Sequence, residues 1–271
     1  MPKNHIEKCL ICSSSDFLEI KTFIKISYKK CLKCNFHYQI KPIKIDYVSK
    51  NSLKFKDKFG EKRNFLKKNE IEKRVKNWFG GISDYINNLQ NNKKLKILDF
   101  GSGPGYLLSS IHNHQKYSYE LNLNSQKYLK KNLKDVIILK NPFRKKYQRY
   151  FDIIILYHVI EHVDKPIELI RKLKNLLKKG GVIIIGTPNV DSLGYLIFKG
   201  NFRLFDREHL FMFGEKSIRI LLKRLNLKII KTEFPFFKTD YFNLKNLFLM
   251  LLVWKISPPF YKNVMTHYCR K

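Results

Sequence analysis

Residues 97–108 read ILDFGSGPGYLL: an apolar run, an acid, three glycines at alternate positions, then apolar residues again. The first run suits a buried strand and the last a helix, so the glycines fall in a strand-to-helix turn. Such turns belong to open α/β sheets, where ligands bind beyond the carboxyl ends of the strands. From residue 93 onward apolar runs alternate with helical stretches, the pattern of a parallel sheet with helices on both faces. Strands are expected at 95–100, 117–121, 135–139, 151–157, 181–186, 227–233 and 263–269. A helix is expected at 164–178, capped by Asp164 and stopped by Gly180-Gly181.

The glycine spacing narrows the ligand. A dinucleotide fold uses G-x-G-x-x-G to bring a helix N-terminus to a pyrophosphate. This chain has Gly101-x-Gly103-x-Gly105, one residue tighter, with Asp99 two positions ahead. No Gly-Lys-Ser/Thr of a phosphate-binding loop is present. Glu120 falls at the expected end of the second strand, where a carboxylate accepts both hydroxyls of a ribose. An acid, a bare loop and a second acid suit a ligand with an ammonium, a carboxylate, a sulfonium and a ribose but no phosphate. S-adenosylmethionine has that chemistry. The same rim should carry Asn141, residues 157–162 and residues 187–189.

Four of the five cysteines form two pairs, Cys9-x-x-Cys12 and Cys31-x-x-Cys34. That spacing fits a four-thiolate zinc site, closed and therefore structural. Residues 16–30, DFLEIKTFIKISYKK, alternate like the hairpin of a zinc ribbon. Ser13 and Asn35 follow the pairs where glycine is common. Removing the metal is expected to unfold residues 1 to about 40 and leave the rest folded. Cys269 reads as a buried strand residue. The organisation expected is a zinc ribbon at 1–45, a helical linker at 46–92 and a catalytic α/β domain at 93–271.

In the linker, Ile71, Val75, Trp78, Ile82, Tyr85, Ile86 and Leu89 recur at helical spacing, with Gly80-Gly81 expected to separate two helices and Ser83 to help start the second. Phe55, Phe59 and Phe65 among basic residues would alternatively grip single-stranded nucleic acid. Lysine and arginine total 54 against 22 acids, a formal charge of +32. The lysines are scattered through a chain rich in Lys, Asn and Ile, which points to composition bias more than to a nucleic-acid partner. The longest apolar run, LFLMLLVW at 247–254, is too short to span a bilayer and reads as a core helix, with a peripheral membrane contact as the alternative. No signal peptide is evident, so a cytoplasmic location is expected. Oligomeric state has no signature in the sequence.

Taken in order, ILDFGSGPGYLL, YELNLNSQKYLKK, FDIIILYHVIEHVDKP, GGVIIIGTPN and REHLFMFGEKSI make residues 95–235 resemble a class I S-adenosylmethionine-dependent methyltransferase, of the group similar to the ubiquinone-pathway O-methyltransferases. The resemblance implies a Rossmann-like seven-stranded methyltransferase sheet. It also implies that Asp99, Gly101, Gly103, Gly105 and Glu120 hold the cofactor, joined on that side by Ser102, Tyr106, Asn141 and Tyr157. The paired cysteines resemble a zinc-ribbon appendage found on such proteins. One departure stands out. The group carries an acid after the third strand for the adenine amino group, whereas this chain reads ILKNPFRKKYQRY, leaving Asn141 to accept that bond and Phe143 to stack on the ring.

In YHVIEH, His158, Glu161 and His162 would share one face if the segment were helical. They then form either a metal or acid–base cluster acting on a hydroxyl, or a set of hydrogen bonds that fixes the loop. His209 is a further candidate base, or part of a lid with the neighbouring phenylalanines. The acceptor expected is a small molecule: a sugar, a phenol or quinone precursor, or a polysaccharide precursor. A zinc-ribbon ribosomal-RNA methyltransferase and a non-catalytic binding protein are the alternatives.

Overall fold

The computed structural model describes residues 7–42, 46–48, 68–89, 94–235, 244 and 262–271. An antiparallel meander comes first, with β1 at Phe17–Lys21, β2 at Ser27–Cys31 and β3 at His37–Gln39. Helix α1 (Lys68–Arg74), a wide π-helical turn (Val75–Phe79) and α2 (Gly80–Asn87) follow. Next come β4 (Lys96–Phe100), α3 (Tyr106–Ser109), β5 (Gln115–Tyr119), α4 (Leu123–Asn132), β6 (Val136–Ile138) and β7 (Phe151–Tyr157). The chain then forms α5 (Pro166–Leu176), β8 (Leu177–Pro188), α6 (Leu193–Phe198) and the two-residue β9 (Phe211–Met212). It closes with α7 (Glu215–Arg224), β10 (Lys228–Glu233) and β11 (Val264–Arg270).

Seven strands make one sheet in the order β10-β11-β8-β7-β4-β5-β6. Strands β8, β7, β4, β5 and β6 are parallel, and β11 runs antiparallel between β10 and β8. The isoleucine runs of β7 and β8 are buried throughout, as central parallel strands covered on both faces require. Strand β4 pairs β5 on one side and β7 on the other, so the strand order reverses there. The crevice at such a switch point is the ligand-binding place of an open α/β sheet, and Asp99 and the glycine turn lie at its mouth.

All seven strands expected from the sequence are present. The helix boundaries differ. Helix α5 runs Pro166–Leu176, with Lys165 at its N-cap and no side-chain cap, so Asp164 does not start it. Pro166 does, because its missing N–H falls where the helix has no acceptor for one. Gly180-Gly181 do not stop it either: β8 begins at once, Leu177 pairing Phe151 and Val182 pairing Ile153, with the residues between them bulged out. The break expected at Gly80-Gly81 is absent, since α2 starts there and follows the π-turn directly. Ser83 is no cap. Its hydroxyl donates back to the carbonyls of Phe79 and Gly80, each at 3.2 Å. Gly81 instead permits close approach: a Cβ there would lie 2.6 Å from the Glu233 carboxylate of β10.

Two cores flank the sheet. On one face Ile82 and Ile86 of α2 pack with Ile97, Leu107, Ile153 and Tyr268, as a helical layer should. On the other, Ile170, Leu173, Ile218 and Leu221 of α5 and α7 pack with Leu98, Ile154 and Ile183. That second core also takes in Cys9, Ile11, Phe36, Tyr38, Phe211 and Phe213. Strand β3 pairs β9, His37 opposite Met212 and Tyr38 opposite Phe211, giving a second sheet β1-β2-β3-β9. Arg224 of α7 donates to the carbonyls of Leu10 and Ile11 at 3.0 and 2.6 Å. The cysteine module and the large sheet thus share a strand and a core. This revises the expected result of metal removal: unfolding the module would also strip β9 of its β3 partner, so the damage would not stop near residue 40.

Cys269 is buried in β11, as expected. Among the described residues, no helix is long and apolar enough to cross a membrane. Phe55, Phe59, Phe65 and the run 247–254 lie outside the described residues.

Candidate functional site

The glycine turn leaves β4 with Gly101, Gly103 and Gly105 at φ +79°, +54° and +81°, conformations that side-chain-bearing residues rarely adopt. Two of these glycines do different work. A Cβ on Gly105 would collide with Leu129 of α4 and with Leu133 just after it, whereas one on Gly103 would meet nothing within 4 Å. Gly105 is bare so that the helices can close; Gly103 is bare toward open space.

The two acids sit on either side of this turn. Glu120 lies one residue beyond β5 and accepts from the backbone N–H of Gly103 and of Asn122, each at 2.7 Å. Its carboxylate therefore holds both the glycine loop and the start of α4, whose N-cap is Asn122. Ser102 and Ser118 share a hydroxyl–hydroxyl bond of 2.7 Å under the loop. Asp99 is buried, and burial first, then the charge of Glu120, pushes its carboxyl up to about 7. Tyr106 opens α3 and meets Tyr128 edge-on at 6.0 Å. Asn141 is exposed, and its Oδ1 accepts from the Phe143 N–H at 2.8 Å, so that oxygen already serves its own turn. The half-exposed Phe143 ring lies 6.0 Å from Phe100.

The expected helical face in YHVIEH does not form, because residues 158–163 are irregular with a turn at 160–162 and His158 adopts φ +54°. The residues are still gathered, by other means. His158 Nδ1 lies 2.8 Å from Glu161 Oε1, the His158 backbone N–H donates to the Gly186 carbonyl, and the His158 side chain is 30% exposed, while that of Glu161 is fully buried. Thr187 donates to the other carboxylate oxygen at 3.2 Å. Burial drives the Glu161 carboxyl up, but the His158 hydrogen bond and the charges of His158, His162 and His209 more than offset it and hold it at about 2. His162 turns away from His158: its Nδ1 bonds the Glu208 carbonyl at 2.9 Å and its ring meets His209 at 4.7 Å. His209 Nδ1 bonds the Leu204 carbonyl at 2.8 Å. One ligand atom from each of Glu161, His162 and His209 falls within 4.8 Å of the others, so these three could hold a metal ion. Tyr157 packs edge-on to Phe79 at 5.2 Å and to His158 at 4.9 Å.

The four paired cysteines converge as well. Their sulfurs lie within 4.8 Å of one another, with Cys9–Cys34 at 3.6 Å and Cys12–Cys31 at 3.5 Å, and all are free thiols. A tetrahedron with metal–sulfur bonds of about 2.3 Å has edges of about 3.8 Å, so the donor set fits zinc. Ser13 and Asn35 adopt φ +61° and +58°, the left-handed turns that bring each pair onto one face.

A family model described as a methyltransferase domain matches residues 72–232, more than half of the chain. The chain belongs to the class I S-adenosylmethionine-dependent methyltransferases. This methyltransferase is 30% identical over 105 residues to the mitochondrial ubiquinone biosynthesis O-methyltransferase of Dictyostelium discoideum, a stretch covering 37% of this chain and 30% of the relative. It is 28% identical over 155 residues to the ubiquinone biosynthesis O-methyltransferase of Glaesserella parasuis, covering 47% of this chain and 66% of that one. The matches therefore span less than two thirds of either relative. Among solved structures, magnesium protoporphyrin IX methyltransferase from Synechocystis with bound S-adenosylhomocysteine shares the fold at TM-score 0.51 and 14% identity, over 74% of this chain and 84% of that one. The [4+2]-cyclase SpnF does so at TM-score 0.51 and 12% identity, over 71% and 79%.

Two features of the methyltransferase had no counterpart in the sequence reading. Thr187 stood on the expected rim, but nothing local tied it to Glu161. Tyr28, buried and donating to the carbonyls of His209 at 2.6 Å and Asp206 at 3.0 Å, looked like any strand residue of the hairpin.

Proposed function

We propose that this methyltransferase moves the methyl group of S-adenosylmethionine to a hydroxyl of a small-molecule acceptor, with His158 as the base. The observation that carries the reading is the His158–Glu161 pair at the ends of β7 and β8: a half-exposed imidazole held at 2.8 Å by a fully buried carboxylate. With Nδ1–H donated to Glu161, the lone pair of the neutral ring is on Nε2, which can take the proton of an attacking hydroxyl. Glu161 stays ionised and stabilises the imidazolium so formed; Thr187 keeps the carboxylate from rotating. Bound S-adenosylmethionine supplies the methyl group on a good leaving group. What is left to the chain is to orient the acceptor and exclude water, a contribution of about 7–11 kcal/mol in favourable cases.

The cofactor side fits the same reading. Gly103 faces open space, Glu120 is tied by two amides and keeps lone pairs for ribose hydroxyls, and the Asp99 carboxyl, raised to about 7, would ionise beside a cation. Similarity to two ubiquinone biosynthesis O-methyltransferases favours a phenol or quinone-precursor hydroxyl over a sugar. The cysteine cluster would hold one structural zinc, with no open position for chemistry. Labelled methyl transfer to panels of phenols and of sugars tests the acceptor class. Label entering neither panel while the protein binds the cofactor would overturn the hydroxyl reading and favour a cyclase-like or purely binding role.

Two results should separate loop packing from cofactor binding. Gly105→Ala should lower the unfolding midpoint by several degrees, since it adds left-handed strain of about 1–2 kcal/mol and a clash with α4. Gly103→Ala carries the strain without the clash, and should lose more affinity for S-adenosylmethionine than stability. Thermal melts and calorimetric titration of both variants check this; equal loss of affinity in the two would remove the distinction.

Affinity should also depend on pH in a set direction. Asp99 is raised to about 7 in the free protein, so below neutral pH it carries a proton. A cationic ligand beside it favours the carboxylate, so binding releases that proton and affinity rises with pH until the group is already ionised. The unliganded fold has the opposite dependence: the increment is intact below about 4, is lost as pH rises toward 7 while only the unfolded state is ionised, and levels off once Asp99 ionises in its buried place. Titrations of S-adenosylmethionine between about pH 6 and 8, in buffers of different ionisation enthalpy, would count the proton. Affinity flat across that range would remove Asp99 from the site.

A further inference from the structure

Resting on the acceptor side described above, we infer that the cysteine module forms the back wall of the acceptor half of the site, with Tyr28 as the residue that positions His209. Residues 190–213 lie between β8 and α7 and contain only the short α6, a single 3-10 turn and the two-residue β9. A stretch with so little regular structure is held by local turns and takes its position in the fold from its neighbours.

On its front side it meets the dyad. The N–H groups of Leu210 and Phe211 both donate to the Glu161 carbonyl, at 2.8 and 3.2 Å. On its back side it meets the module throughout. Tyr28 of β2 donates to the carbonyls of His209 and Asp206, and the Gln39 N–H of β3 donates to the Leu210 carbonyl at 2.9 Å. Asn35 donates from its amide to the Val190 carbonyl at 3.0 Å and to the Asp191 carboxylate. His37 Nε2 lies 2.6 Å from the Tyr195 hydroxyl, and the Phe23 N–H reaches the Gly200 carbonyl at 3.1 Å.

The cysteine site lies upstream of these bonds. Tyr28 is three residues from Cys31 on the same strand, and Asn35 follows Cys34 directly in the left-handed turn of the second pair. Burial, then the charge of Asp206, drives the Tyr28 phenol far above its ordinary value, so it remains a donor at every working pH. The glycine loop is anchored elsewhere. The Gly101 N–H goes to Tyr119, Gly103 to Glu120 and the Ser102 hydroxyl to Ser118, all in or next to β5. The glycine loop is thus hung from the large sheet, whereas residues 204–213 on the acceptor side are hung from the small one.

The test uses the full chain in three forms: wild type, Tyr28→Phe, and Cys31→Ser/Cys34→Ser. Tyr28→Phe keeps the ring that packs on Phe205 at 4.9 Å and removes only the hydroxyl. Four quantities are read: bound metal by elemental analysis, hydrogen exchange of residues 204–213, the imidazole carbon resonance of His209, and the dissociation constant of S-adenosylmethionine. For Tyr28→Phe, exchange over 204–213 should quicken by about tenfold and the His209 resonance should move. Metal content and cofactor affinity should match wild type. An unmoved resonance with unchanged exchange overturns the inference. The cysteine variant should loosen the same residues and keep the cofactor; cofactor affinity lost in step with 204–213 also overturns it. Wild type without metal, alongside the Tyr28→Phe effect, sinks the zinc reading and leaves Tyr28 in its positioning role. None of these readouts depends on methyl transfer, so a failure of the His158 reading appears separately, in the acceptor panels.

Discussion

Glu120→Ala is expected to weaken binding of S-adenosylmethionine by about a hundredfold or more, with little change in the thermal midpoint. The carboxylate does two things at once. It accepts from the backbone N–H groups of Gly103 and Asn122 at 2.7 Å each, and under the proposed function it would also take the ribose hydroxyls. Hydrogen bonds to a charged acceptor contribute about 1.5–3 kcal/mol each, so losing a ribose contact and the loop's anchor together exceeds two powers of ten in affinity. The fold depends on Glu120 less, because β5 ends one residue earlier and Asn122 still caps α4 through its own side chain. Glu120→Gln is the informative companion. It keeps the size and one acceptor oxygen but turns an N–H₂ toward one of two backbone donors, so it should fall between wild type and alanine. Calorimetric titration of the three proteins decides it; alanine binding as tightly as wild type would take the ribose out of this position.

The legible part of this molecule is the part written locally. The central strands β7 and β8 carry β-branched runs, and FDIIILY could hardly be anything but a strand, so its bounds match β7 to the residue. The glycine turn was legible for a related reason: three glycines at alternate positions are required by three backbone angles of positive φ. Glu120 followed from the strand-to-strand spacing alone. What the sequence hid is non-local. Strand β9 is two residues long, too short to show a period, and its partner β3 lies more than 170 residues away. His162 and His209 meet at 4.7 Å from opposite ends of a long connection, with no local signal joining them. The helix imagined for YHVIEH fails for a local reason that the pattern did not carry. His158 takes a left-handed turn, and fully buried Ile160 and Glu161 are drawn inward by the core and by His158. The appendage suggested by two cysteine pairs is, for the same non-local reason, built into the wall of the larger domain.

Glu161→Gln should cut the rate of methyl transfer by about 10²–10⁴ while leaving cofactor affinity in place. Glutamine fills the same space, but it cannot stabilise an imidazolium at His158, and its amide presents a donor where the ring's N–H also donates. The proposed cofactor residues Gly103 and Glu120 are tied to each other on the β5 side of β4, away from β7, and should not register the change. A second, independent reading comes from stability against acid. In the fold Glu161 is held at about 2, burial opposing and the His158 bond and three histidine charges prevailing, against an ordinary value of 4.5. A carboxyl lowered on folding stabilises the protein above its unfolded-state value, and that increment disappears as pH falls through the folded one. The stability gap between wild type and Glu161→Gln should therefore be widest above about pH 5 and close toward pH 2. Urea unfolding at several acidities, beside single-turnover rates with the best acceptor, measures both. A variant with an unchanged rate but the expected acid behaviour would leave Glu161 as a loop fastener, and the base would have to be sought at His209.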